Sequence, residues 1–129
     1  MTEYELITAK EAILNSVNGL ADVQASHVAI YLSLVFGYLS VAYVAGSKLT
    51  KPQLVLGTTA FILAAGRQVI AIAILAQAIS TKSLELTALT GVGLVAQPQA
   101  VMLPSIVIWS SGILIGLLFM WSVRRSRNE

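Results

Sequence analysis

Three long stretches that are almost free of charged residues dominate this sequence. They run over about 24–45, 52–80 and 100–123, and Arg67 is the one Lys, Arg, Asp or Glu inside them. About twenty apolar residues in a helix cross a hydrocarbon core of about 30 Å. A membrane-spanning segment must also pair its own backbone groups, which a helix does. The sequence therefore predicts an all-α membrane protein with three transmembrane helices.

The composition agrees with lipid as the solvent. Hydrophobic residues make up 57% of the chain and charged residues 11%, whereas soluble globular domains carry about 25% charged residues. The few Lys and Arg residues lie mostly outside the apolar stretches and indicate topology rather than a nucleic-acid partner. The chain has no cysteine and one histidine, so we expect no metal site and no cofactor.

The segments around the spans allow further predictions. Residues 1–22 place Leu6, Ile13, Val17 and Leu20 at roughly helical spacing, which predicts an amphipathic helix ahead of a transmembrane domain at 23–123. Thr2 and Glu5 fit a capping box at its start. Residues 81–99 are too apolar for a simple loop. They fit either a short interfacial helix or a re-entrant loop around Gly91–Gly93.

Lysine and arginine are unevenly divided between the two sides of the expected spans. The turn at 46–51 and the C-terminal tail share one side, which carries five of them against two on the other. Because positively charged short segments stay in the cytoplasm, we expect the N-terminus outside and the tail 124–129 in the cytoplasm of a bacterial inner membrane. The five are Lys48, Lys51, Arg124, Arg125 and Arg127, and the two are Lys10 and Lys82.

Arg67 lies near the middle of the second span, where a charge costs about 2.5–3.5 kcal/mol on insertion scales. Three kinds of partner would offset that cost. They are polar groups of neighbouring helices, an anion, lipid head group or water file in a cavity, and a carboxylate of another protein. Candidate residues for a pore, a ligand site or an inter-helix tie are Arg67, Gln68, Trp109 as a cation–π partner, Ser110 and Ser111, with Ser33 as a further polar neighbour.

Small residues recur on one side of each span. Such residues let helix backbones approach closely in lipid, so we expect them at helix contacts, either within one chain or between copies. On the first span they are Ala29, Ser33, Gly37 and Ser40; on the second, Gly57, Ala60, Ala64 and Ala71, next to Arg67 and Gln68; and on the third, Ser105, Gly112 and Gly116.

Three functional classes remain open. The first is a small membrane protein that self-assembles, as a homo-oligomer, or serves as an accessory or structural subunit of a larger membrane-protein complex. The second is an oligomeric channel or anion-favouring pore with Arg67 and Gln68 facing the axis. The third is a sensor that acts through a partner. The spans hold no Lys, Asp or Glu for acid–base chemistry, so we expect no enzymatic activity.

Overall fold

The computed structural model describes residues 1–91 and 98–126. They form three helices, α1 (Glu3–Ala45), α2 (Lys51–Thr90) and α3 (Pro98–Ser126). Each helix is long and apolar enough to cross a membrane, and each contains one of the three expected spans. The predicted all-α membrane fold with three transmembrane helices is confirmed.

Local sequence signals explain where α1 and α2 begin and end. The expected box at Thr2 and Glu5 is present, with the Glu5 carboxylate 2.7 Å from the Thr2 amide. A second box joins Thr50 and Gln53 at the start of α2, where Pro52 lies in the first turn. Gly91 ends α2 in the left-handed conformation, at φ 67°, which glycine adopts without the Cβ clash of other residues.

Both α1 and α2 extend well beyond the expected spans. The N-terminal amphipathic segment and the first span form one continuous helix through residue 22. Residues 81–90 continue α2 rather than forming a separate interfacial helix, since neither glycine nor proline interrupts α2 between Gly66 and Gly91. Gly93, the second glycine of the expected re-entrant loop, lies outside the described residues.

The first two helices pair in an antiparallel arrangement along their length. Hydrogen bonds join Gln24 to Ile72, His27 to Gln68 and Tyr38 to Thr58. The same register places Val17 level with Ile79. At about 1.5 Å per residue, α1 and α2 are about 65 and 60 Å long for 43 and 40 residues. They form a hairpin that is longer than the bilayer is thick.

The third helix runs parallel to α1 and covers only the membrane part of the hairpin. Tyr31 contacts Trp109 and Gly46 contacts Arg124, and both pairs are 78 residues apart. This offset places Pro98, the start of α3, level with Leu20 of α1. The core between the helices consists of Tyr31, Val35, Tyr38, Ala42, Phe61, Ala65, Val69, Ile72 and Met120.

Candidate functional site

A polar layer about two helical turns deep crosses the interior of the helix bundle. Nδ1 of His27 lies 2.6 Å from Oε1 of Gln68, and Gln68 is buried. One turn earlier on α1, Gln24 donates to the carbonyl oxygen of Ile72 at 3.2 Å. One turn later, the Tyr31 hydroxyl donates to the carbonyl oxygen of Trp109. These bonds join all three helices, as polar side chains do in lipid, where water cannot replace them.

Arg67 lies at the same depth but points out of the bundle. Its side chain is exposed. It follows Lys51 by sixteen residues and precedes Lys82 by fifteen, so it is about 24 and 22 Å along the helix axis from these charges. Within residues 1–91 and 98–126, no hydrogen bond or ion pair is made by its guanidinium. Arg67 is therefore a charge on the outer surface of the bundle, far from either end of the span.

The other expected neighbours of Arg67 lie elsewhere. Trp109 packs edge-on against Tyr31, with ring centroids 5.4 Å apart, and not over Arg67. The Ser111 hydroxyl donates to the carbonyl oxygen of Ile108 in its own helix, and Ser110 is half-buried on α3. The structure thus brings Gln68, but not Arg67, into contact with the residues of another helix.

The small residues of α1 and α2 line an outward-facing groove, which we call the α1–α2 groove. It has a volume of about 420 Å³. Its floor includes Tyr38 and Phe61, whose rings stack at 4.1 Å. Helical spacing places Arg67 one turn beyond Ala64 along the same face. The small residues that line the groove are Ser33, Gly37, Gly57, Ala60 and Ala64.

The two glycines of α3, Gly112 and Gly116, pack against side chains of α1 and α2. Gly116 is buried, and a Cβ added there would lie 3.4 Å from the rings of Phe61 and Tyr38. A Cβ added at Gly112 would overlap the Tyr31 hydroxyl. By contrast, added Cβ atoms at Gly37 and Gly57 meet nothing within 4 Å. Close packing inside the chain explains Gly112 and Gly116 but leaves the small residues of the α1–α2 groove unexplained.

Two side chains, Gln24 and Arg124, have structural roles that the sequence does not predict. The role of Gln24 was missed because it stands at the edge of an apolar stretch, where polar residues are common. Arg124 was counted only as a topology charge, yet its Nη1 donates to the carbonyl oxygens of Gly46 and Leu49, both at 3.1 Å. No pattern in the sequence signals this bond, since it depends on how α3 packs against the turn.

These features define an all-α membrane protein with an internal polar layer and an outward-facing arginine at membrane depth. No protein-family model matches the chain, and no curated protein or solved structure matches it either.

Proposed function

We propose that this protein is an accessory subunit of a membrane complex, and that the α1–α2 groove packs against a transmembrane helix of a different protein. The observation that carries the proposal is the exposed Arg67 beside a groove of small residues at membrane depth. On the partner helix, an Asp or Glu side chain pairs with Arg67.

The charge of Arg67 identifies the chemistry of the partner. A guanidinium in the hydrocarbon region is stabilised by a carboxylate or by several carbonyl oxygens. All carboxylates of this chain lie outside the three spans, so none of them stands at the depth of Arg67. An acidic side chain within a partner's transmembrane helix supplies the missing charge and forms a bidentate pair with the guanidinium.

The shape of the α1–α2 groove favours a helix as its occupant. Gly57, Ala60 and Ala64 follow one another at spacings of three and four residues, so they form a continuous strip along α2. Across the groove, Ser33 and Gly37 form a similar strip on α1. Small residues on both walls allow the backbone of a partner helix to approach closely. Van der Waals packing then stabilises the association in lipid.

The same charge argues against a symmetric pair of identical chains. A two-fold interface uses one surface patch on both copies, so pairing through the α1–α2 groove would bring two Arg67 side chains together. Like charges repel strongly where the dielectric constant is low. A partner with a different sequence avoids this repulsion. The homo-oligomer expected from the sequence is the competing outcome of the experiment below.

Site-specific photo-crosslinking in the native membrane tests the proposal. A photoreactive phenylalanine analogue replaces Leu63, an exposed residue one turn before Arg67. The matched control carries the analogue at Leu114, an exposed residue on α3. We expect position 63 to crosslink to a peptide from a transmembrane segment that contains Asp or Glu, and position 114 not to do so. A crosslink from position 63 to a second copy of this chain would overturn the proposal in favour of self-assembly.

Variants of Arg67 test the contribution of its charge to docking separately from that of the shape of the α1–α2 groove. Arg67→Lys keeps a positive charge and should retain the crosslink from position 63, whereas Arg67→Leu should abolish it. Replacing the partner's acidic residue by a neutral one should have the same effect as Arg67→Leu. An unchanged crosslink in Arg67→Leu would show that the charge plays no part in docking.

For the orientation of the subunit, the positive-inside asymmetry supports an external N-terminus and a cytoplasmic α1–α2 turn, in a bacterial inner membrane. The chain has no cysteine, so single cysteines at the exposed Lys48 and at the half-buried Lys82 report sidedness directly. In spheroplasts, a membrane-impermeant maleimide should label Lys82→Cys and not Lys48→Cys. The opposite pattern would reverse the orientation.

A further inference from the structure

A second groove opens at the end of the bundle that carries the α1–α2 turn. We call it the basic groove. It has a volume of about 500 Å³ and lies between α2 and α3, with Tyr38 of α1 also lining it. Its inner part is apolar and contains Leu54, Leu117 and Met120. Its mouth is formed by Trp121, Arg124 and Arg125.

Arg124 is held at this mouth by the backbone of the turn. Its Nη1 donates to the carbonyl oxygens of Gly46 and Leu49, and the side chain is half-buried. A guanidinium has five N–H donors, and among the described residues the donors on Nε and Nη2 have no partner. Because two carbonyls hold the guanidinium, little side-chain entropy is lost when another ligand binds it.

Arg125 and Trp121 complete the mouth. The Arg125 guanidinium carbon lies 5.2 Å from the centroid of the Trp121 ring, over its face. Tryptophan is enriched at the level of lipid head groups, where its ring is partly apolar and partly wet. Trp121 therefore marks the depth at which a head group meets the acyl region of the bilayer.

The charges at this end of the molecule are of one sign within the described residues. Lys48, Lys51, Arg124 and Arg125 lie here. The described carboxylates all lie at the opposite end, and they belong to Glu3, Glu5, Glu11, Asp22 and Glu85. An anion at the mouth of the basic groove thus meets attraction from four cations and no nearby described carboxylate.

We infer that the basic groove binds one anionic glycerophospholipid of the adjoining leaflet. The phosphate accepts hydrogen bonds from Arg124 and Arg125, and an acyl chain lies along Leu54, Leu117 and Met120. Basic pockets between transmembrane helices bind anionic lipid head groups in this way. A lipid fits the two parts of the groove, since one molecule carries both a charged end and an apolar chain.

Quenching of Trp121 by brominated lipids tests this site. The chain has two tryptophans, so Trp109→Phe leaves Trp121 as the sole reporter while keeping a ring against Tyr31. The protein is reconstituted into phosphatidylcholine vesicles that contain either brominated phosphatidylglycerol or brominated phosphatidylcholine at equal mole fraction. We expect phosphatidylglycerol to quench Trp121 more strongly. Arg125→Gln should reduce the enrichment of phosphatidylglycerol at Trp121 by about tenfold, as expected for the loss of a hydrogen bond between two charged groups.

The matched control is Lys48→Gln, which removes one charge from the same end of the molecule but does not line the basic groove. It should leave most of the phosphatidylglycerol enrichment in place. An equal loss in Lys48→Gln and Arg125→Gln would show diffuse surface attraction instead of a site and would overturn the inference. Equal quenching by the two lipids in the Trp109→Phe protein would overturn it as well.

The docking proposal and the lipid proposal are tested at different residues, so one can fail while the other holds. The grooves share Tyr38, Leu54, Thr58 and Met120, so none of these four is altered in the tests. Arg67→Leu should abolish docking to the partner helix and leave the lipid preference of Trp121 unchanged. Arg125→Gln should reduce the lipid preference of Trp121 and leave docking to the partner helix unchanged.

Discussion

Arg67 and Gln68 are neighbours in the sequence, yet they face different environments in the fold. Gln68 is buried, with 6% of its surface exposed, and its amide oxygen lies 2.6 Å from Nδ1 of His27. Arg67 is exposed on the outer surface of α2. Successive residues on a helix are about 100° apart, so only one of the two side chains can join the polar layer. Gln68 stabilises the bundle, and Arg67 remains available to another molecule.

Substitutions at these two positions should therefore differ in their effect on the stability of the isolated chain. Gln68→Leu leaves His27 without its partner and should lower the free energy of unfolding by about 1 kcal/mol. Arg67→Leu removes no hydrogen bond or ion pair among the described residues and should change the free energy of unfolding by less than about 0.5 kcal/mol. Reversible unfolding in mixed detergent and lipid micelles measures both. A larger loss in Arg67→Leu than in Gln68→Leu would place Arg67 in the fold instead of on its surface.

Alanine substitutions at two glycines of the bundle should also differ in their effect on the stability of the isolated chain. A methyl group at Gly112 displaces the Tyr31 hydroxyl from the Trp109 carbonyl, so Gly112→Ala should destabilise the chain by about 1–3 kcal/mol. At Gly57 a methyl group meets nothing within 4 Å. Gly57→Ala should leave the isolated chain as stable as before and should weaken partner docking. Unfolding of the two variants under the same conditions provides the comparison, and equal losses would contradict the assigned packing.

The stability of the first turn of α1 should depend on pH through Glu5. Hydrogen bonds from the Thr2 backbone and then from its side chain hold the pKa of the Glu5 carboxyl below its ordinary value. A lowered pKa in the folded state means that the carboxylate stabilises the helix start at neutral pH, and that this contribution is lost as the pH falls through the lowered pKa.

Hydrogen exchange of the first amides of α1 checks this behaviour. Protection should fall at acidic pH in the unmodified chain. In Thr2→Ala, protection at neutral pH should be lower because the hydroxyl that caps the Glu5 amide is lost. The pKa of Glu5, followed by NMR, should rise only part of the way to its ordinary value, because the amide of residue 2 still donates to the carboxylate. An unchanged Glu5 pKa in Thr2→Ala would show that the Thr2 side chain makes no contribution to it.

The sequence was sufficient to predict the three spans and the capping box at Thr2 and Glu5. Long apolar stretches and the spacing of the two capping residues carry that information directly. The continuity of α1 and the extension of α2 to Thr90 were not predicted, because polar side chains around Asp22 and Lys82 indicate the membrane boundary but do not end a helix.

The sequence also did not predict which side of α2 faces the interior of the bundle. Arg67 and Gln68 are both polar, and helical spacing gives only the angle between them. Which of the two faces inward depends on the position of His27 on α1, and that contact forms only in the folded hairpin. The small residues were visible in the sequence, but only the packing of α3 shows which of their positions are filled by side chains of the same chain, as Gly112 and Gly116 are.

Native mass spectrometry of gently extracted membranes tests the central claim most directly, by comparing the unmodified protein with Arg67→Lys and Arg67→Leu. We predict a complex with a different membrane protein for the unmodified chain, retention of that complex in Arg67→Lys and its loss in Arg67→Leu, with the Arg67→Leu chain still folded. A mass that contains only copies of this chain, unchanged in all three proteins, would contradict the claim.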